Sequence, residues 1–284
     1  MKNTTEKVIV VAGGTGGIGS AACRLLASRG ATIIVASRKN ARLGTLSQEL
    51  KAINPKSLCL ETDLCSLTAW NEVIGTVVKK FRRIDVLVNC AGELVPGLFE
   101  RLSEHDIGST IDGNLVCAIN GARAVIPAMR KQGFGHIINV GSLGGITPMP
   151  FESLYSATKF AVRGLSLSLA EELRGSGIRV SVISCGPVST RMLERESRDD
   201  DSTIAFVNKP LKPMDVAEAI LKIIRHPKRE ITLPGTWGRL ALLLSPFANF
   251  YAIYFPLLSR LGRIRQEGFR IRVSALKNVT AMEN

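Results

Sequence analysis

Five apolar residues, Val8 to Ala12, run straight into Gly13-Gly14-Thr15-Gly16-Gly17-Ile18-Gly19. A short unbroken apolar run of this kind reads as a buried strand. The glycines permit a tight turn and a close approach of backbone. Residues 20–29 have helical character, and residues 31–36 form a second apolar run. Strand, glycine loop, helix and strand within about thirty residues make the βαβ unit in which such a loop has meaning.

The rest of the chain keeps the alternation. Helical stretches are expected at 41–53, ended by Asn54-Pro55, at 67–81, and across 102–132 as one helix or two. Strands are expected at 57–62, 84–88, 136–140, 178–184 and 230–233. Pro213 suits the first turn of a helix reaching about Arg225. The polar run 191–211 reads as a mobile loop or lid. With no repeat and no linker, these elements predict an α/β fold: one Rossmann-like, doubly wound parallel sheet in a single domain over 1–235. Only 5% of residues are aromatic, which suits an aliphatic core of buried parallel strands.

Charge and cysteine usage narrow the partners. The net charge of +13 favours anionic ligands or anionic lipid surfaces. No basic motif interleaved with aromatics argues for specific nucleic-acid recognition. Cys23, Cys59, Cys65, Cys90, Cys117 and Cys185 are scattered without a Cys-x-x-Cys pair, and His105, His136 and His226 lack metal spacing. They predict reduced thiols in a cytoplasmic compartment and no metal site. The first apolar run is too short for a secretory signal.

Three features carry chemistry. The glycine loop opens a helix whose free N–H groups suit a pyrophosphate. An NAD-binding βαβ unit usually ends its second strand on a carboxylate for the ribose hydroxyl. Here the strand ends Ala36-Ser37-Arg38-Lys39, which favours a 2′-phosphate and hence NADP(H). Tyr155 and Lys159 stand at i and i+4, on one face of a helix. A nearby ammonium favours the phenolate. Ser142 follows the strand at 136–140, so it can meet Tyr155 at the ligand-binding edge of the sheet.

Together these motifs resemble the short-chain dehydrogenase/reductase family, in its compact single-domain branch, over about residues 6–235. Gly13, Gly17 and Gly19 match the family's cofactor loop, with Ala12 in place of the usual threonine. Asp63-Leu64 matches the pair beside the adenine, and Asn89-Cys90-Ala91-Gly92 matches Asn-Asn-Ala-Gly. Gly186 to Thr190 matches the stretch near the nicotinamide, with Cys185 replacing a proline. The resemblance implies Asn114, Ser142, Tyr155 and Lys159 as catalytic residues, with Ser142 and Tyr155 holding the substrate oxygen. Thr15, Ile18, Ser37, Arg38, Val188 and Thr190 join the residues above, with Tyr155 and Lys159, in the implied cofactor site. It also implies hydride transfer between NADP(H) and a secondary alcohol or ketone, and a homo-oligomer, dimer or tetramer, built on the helices of Asn114 and Tyr155. A 3-oxoacyl carrier-protein reductase and a non-catalytic NADP(H)-binding regulator are the alternatives.

The extension 236–284 has no family counterpart. Residues 240–259 carry no charge but include Pro246, Asn249 and Pro256, and arginines bracket them. Three readings stand: a cover over a lipophilic substrate pocket, a peripheral contact with an anionic membrane, and a bilayer span.

Overall fold

The structure, a computed structural model, describes residues 5–38, 40–245 and 248–282. Lys39, Pro246 and Phe247, singled out or spanned above, lie outside the described residues. The strands are β1 (Val8–Ala12), β2 (Thr32–Ser37), β3 (Leu58–Glu61), β4 (Val86–Asn89), β5 (Gly135–Ser142), β6 (Ile178–Cys185) and β7 (Glu230–Leu233). All pair in parallel, in the order β3-β2-β1-β4-β5-β6-β7. The helices are α1 (Gly17–Ser28), α2 (Ala41–Ile53), α3 (Leu67–Phe81), α4 (Glu104–Ile111), α5 (Cys117–Gln132), α6 (Ser153–Glu172), α7 (Arg191–Glu196), α8 (Pro213–Arg225), α9 (Gly235–Leu244) and α10 (Ala248–Met282).

Alternation along each strand feeds two cores. Ile9 and Val11 of β1 face the side covered by α1, α2 and α8, where Leu26, Leu50 and Ile220 are buried. Val8, Val10 and Ala12 face the other side, with Trp70 of α3 and Met129 of α5. This is the doubly wound, Rossmann-like arrangement expected. Its strand order reverses between β1 and β4, so their C-terminal ends open a crevice where ligands of such sheets bind.

Three local expectations are corrected. The helix around Asn114 is interrupted by a π turn, Asp112–Val116, between α4 and α5. The run 191–211 is an ordered segment, containing α7 and a 3-10 turn at Ile204–Phe206. Its polar residues read as solvated because their partners lie far away in sequence, on α10. Gln266 Nε2 donates to the Asp199 carbonyl at 2.7 Å, Arg270 pairs with Asp200 at 2.8 Å, and Thr203 and Ser259 share a hydroxyl bond of 2.9 Å. Phe206 and Phe269 add a ring contact at 5.4 Å. Finally, Pro256, counted above as an interruption of the uncharged run, does not interrupt the helix. It lies inside α10, where a proline removes its own donor but leaves neighbouring turns able to continue. Among the described residues, no helix is long and apolar enough to cross a membrane.

Candidate active site

The crevice is a solvent-open cleft of about 220 Å³ at the C-terminal edge of the sheet. β5 delivers Ser142 to its wall, and the first turns of α6 deliver Tyr155 and Lys159. Strand end and helix are locked together closely. A Cβ at Gly145 would lie 2.6 Å from the Lys159 carbonyl, and Ser156 Oγ donates to the Gly144 carbonyl at 2.6 Å. Ser142 and Tyr155 line the cleft together, with the Ser142 hydroxyl close enough to favour the phenolate. Lys159 Nζ lies 5.5 Å from the Tyr155 ring centroid and donates to the Val140 carbonyl at 3.4 Å.

Asn114 approaches from behind the cleft. Its side chain donates to the carbonyls of Glu93 (2.7 Å) and Thr110 (2.9 Å) and accepts from the Glu93 amide (3.2 Å). The π turn makes this possible, and such turns recur at functional sites. Gly92 sits between Asn114 and Lys159: a Cβ there would be 3.2 Å from Asn114 Oδ1 and 3.6 Å from Lys159 Nζ.

The electrostatics differ from the expected lowering of the tyrosine by lysine. Burial pushes the Tyr155 phenol well above its ordinary value, the Cys185 thiol and two glutamates add to this, and the Ser142 hydroxyl only partly offsets it. Burial also pulls the Lys159 ammonium down. In the chain by itself the phenol therefore holds its proton, the form that can donate to a carbonyl oxygen. Cys90 is pushed up to about 12 and Cys185 to about 11, both chiefly by burial, so these thiols stay protonated at neutral pH.

The glycine loop lies at the other end of the cleft. Gly13 has φ +71°, and a Cβ there would lie 2.7 Å from the Ala91 amide nitrogen. Gly19 packs against Gly14, where a Cβ would come within 2.8 Å of its Cα. A Cβ at Gly17 would come within 2.5 Å of the Thr190 methyl, so the loop touches the start of α7. α1 begins at Gly16 with no capping side chain and no acid in its first turn, leaving its N–H groups for an anion. Thr15 and Ser37 share a buried hydroxyl bond of 2.8 Å, and Arg38 is exposed beside them. Ser37 is thus engaged with the loop rather than free. Glu61 of β3 stands opposite Ser37 in the register. Asp63 accepts from the Cys65 amide at 2.9 Å, and the buried Leu64 accepts from Trp70 Nε1 at 3.0 Å. Asn89 donates to Asn139 at 2.7 Å. Ile18, Ala91, Gly92, Val188 and Thr190 line the same cleft as Ser142 and Tyr155.

The departures at Ala12 and Cys185 are absorbed locally. The Ala12 carbonyl accepts from the Cys90 amide at 2.9 Å, so backbone joins the two segments without a hydroxyl. Cys185 Sγ contacts the Gly141 carbonyl at 3.4 Å. The cradle fits a dinucleotide: uncapped helix N-terminus, side-chain-free loop and a cation at the end of β2. Among the described residues there is no cluster fit to hold a metal ion.

Sequence reasoning missed the far wall. Glu152, Glu196, Met149, Met192 and Leu258 line the cleft. Glu152 stands three residues before Tyr155, which was the available signal. Glu196 was hidden in a charged run.

Comparison with known proteins agrees with this geometry. The family model described as short chain dehydrogenase matches residues 7–201. An uncharacterized oxidoreductase of Staphylococcus saprophyticus is 34% identical over 234 residues, covering 80% of this chain and 94% of the relative. Another, from Staphylococcus aureus, is 32% identical over 224 residues, covering 79% and 93%. Among solved structures, actinorhodin polyketide ketoreductase with NADPH superposes with a TM-score of 0.74 at 26% identity, covering 84% of this chain and 99% of that one. L-Sorbose reductase from Gluconobacter frateurii, complexed with NADPH and L-sorbose, shares the fold at 24% identity, with a TM-score of 0.70 and coverage of 79% and 92%. The chain belongs to the short-chain dehydrogenase family and is an oxidoreductase of that family.

Proposed function

We propose that the protein is an NADP(H)-dependent oxidoreductase that interconverts a ketone and a secondary alcohol on a mainly apolar substrate. The observation that carries this is the convergence of Ser142, Tyr155 and Lys159 on a cleft that also contains the edge of the glycine loop. The bound cofactor supplies the hydride. Tyr155 donates its proton to the carbonyl oxygen, Ser142 hydrogen-bonds the same oxygen, and Lys159 anchors the cofactor's ribose side. Asn114 fixes the segment that carries Gly92. Preference for the 2′-phosphate rests on exposed Arg38 and on a β2 end without a carboxylate; NADPH in the two solved relatives supports it. A ketone panel followed by NADPH absorbance tests this reading. Absence of turnover, with cofactor binding intact, would favour the non-catalytic regulator.

The division of labour follows the chain: 1–235 supplies cofactor and chemistry, and 236–284 closes the substrate side. Leu258 of α10 lines the cleft, which supports the cover. A second reading of the same helix is favoured by its outer face. Ile253, Leu257, Leu261, Ile264 and Ile271 recur at helical spacing and are exposed, with Arg260, Arg263 and Arg272 close by. Such a face suits a peripheral contact of an otherwise cytoplasmic protein with anionic lipid. Flotation with anionic liposomes at low and high salt tests it, and full-length protein left in the soluble fraction at low salt refutes it. Oligomerisation would use exposed Ile119 of α5 and Phe160 of α6. Val162, one of the apolar positions on that helix, is buried in the protomer instead. Light scattering at micromolar concentration decides between monomer and oligomer.

A further inference from the structure

One polar feature of the cleft has no task in this chemistry. Glu152, which precedes α6, and Glu196, which ends α7, line the cleft beside Tyr155 and are 3% and 5% exposed. Their carboxyl groups lie close enough for each to influence the other's ionisation. Two carboxylates in contact in a dry site cannot both ionise. Burial raises both above the usual carboxylate range, which favours keeping a proton on the pair.

Among the described residues, no cation is paired with either glutamate. Asp199, from the segment after α7, raises both further, and Arg195 pairs with Glu93 at 2.8 Å instead. Among the described residues, no amide or hydroxyl donates to Oε1 of either glutamate. Glu152 occupies the N-cap of α6, where a carboxylate would normally accept from the first free N–H groups, yet its side chain makes no capping bond. It is turned toward Glu196 instead. The backbone holds it there: Phe151 has φ +63°, a left-handed conformation rare for an aromatic residue, and its carbonyl accepts from the Gly97 amide at 2.7 Å. Around the pair the walls are apolar, with Leu143, Met149, Leu193 and Val207. A buried acceptor without a donor is a strong demand for a partner.

We propose that the Glu152–Glu196 pair is the polar anchor of the substrate, accepting hydrogen bonds from a hydroxyl or ammonium group carried by an otherwise apolar ketone or secondary alcohol. The inference deepens the carbonyl reading above and rests on it. It makes the two glutamates specificity-determining residues, placed beside the reacting oxygen but outside the hydride chemistry.

The test uses full-length protein with NADPH and three ketones on one skeleton: an alkyl ketone, its hydroxyl-bearing analogue and its amino-bearing analogue. In the wild type, kcat/KM for at least one donor-bearing ketone should exceed that of the alkyl ketone by about tenfold or more. In Glu196→Leu that ratio should collapse toward one. Glu196→Gln, of the same size, guards against misfolding of the leucine variant and should lower the ratio at least about threefold. A ratio near one in the wild type, or an unchanged ratio in a folded Glu196 variant, overturns the proposal. If none of the ketones is turned over, the oxidoreductase reading is what has failed. Calorimetric binding of the same three compounds then tests the anchor alone: tighter binding of a donor-bearing compound supports it, and equal affinities overturn it.

Discussion

The cofactor edge and the cover over the substrate side are held by different physics. At the edge, backbone meets backbone. Gly13 abuts Ala91, Gly19 abuts Gly14, and the strands behind them are aliphatic and buried. In the cover, side chains reach across to backbone. Gln266 reaches the Asp199 carbonyl, Arg265 the Val207 carbonyl, and Arg270 both the Ser197 carbonyl and Asp200. Among the described residues, Leu193, Ala205 and Phe206, with Phe269, form a small apolar cluster there. The edge therefore tolerates almost no change in side-chain volume, whereas the cover can be redecorated without disturbing the sheet. The first arrangement suits an invariant ligand, the second a variable one.

That contrast can be broken or sharpened experimentally. The largest effect is expected from Tyr155→Phe, which removes the proton-carrying oxygen; turnover should fall by about 10²–10⁴-fold while NADPH binding, read by fluorescence titration, is kept. Near-normal activity would remove the assignment of Tyr155. Next is Gly262→Val. A Cβ at Gly262 would run into the Thr203 carbonyl, so α10 should lift from the cover. Here kcat/KM should drop on the order of a hundredfold through a misplaced substrate, with cofactor affinity unchanged. Loss of NADPH binding in that variant would show that edge and cover are not separable.

Arg38→Asp acts on the edge alone. It should shift preference from NADPH toward NADH by about ten- to a hundredfold, measured as the ratio of kcat/KM values. Wild-type protein using both cofactors equally would refute the role of Arg38.

The smallest effect concerns pH and has opposite signs in the cover and at the end of the sheet far from the cofactor edge. Buried His136, 2.8 Å from Ser181, is pulled down to about 3 by burial. It is neutral when folded and protonates when unfolded. Its stabilising share is complete above about pH 6.5 and is lost as pH falls, by about 1.4 kcal/mol per unit. The glutamate pair in the cover is raised, so its share is complete below the ordinary carboxyl range and is lost as pH rises. Thermal unfolding at pH 5 and pH 8 should show Glu196→Gln gaining more at pH 8, and His136→Gln flattening the loss at pH 5. Equal shifts at both pH values would contradict these environments.

The same contrast explains what could be seen in the sequence. Apolar runs and turn residues are local signals, so 67–81, 41–53 and 230–233 are legible to the residue as α3, α2 and β7. The glycine loop, Ser142 and the Tyr155–Lys159 pair are local too, and the parallel register brings them to one cleft. Glu196, Gln266 and Arg270 are not legible, because a charged residue in a polar run looks solvated until its partner some seventy positions away is placed. Asn114 is legible only through the resemblance to the family. The π turn that accommodates it has no pattern of its own in the sequence.

Because the π turn at Asp112–Val116 is one residue longer than the α turn it replaces, it also sets the angular phase between α4 and α5. Deleting a single residue there would restore an ordinary helical ladder. It would also swing everything before it by about 100° relative to α5. Thr110, now buried, would rotate out, and Asn114 would lose its hold on Glu93. Deletion of Gly113 should therefore be far more damaging than a substitution at the same position, where the nearest atom to an added Cβ is Glu93 Cβ at 3.0 Å. In this segment the number of residues carries information that their identities do not.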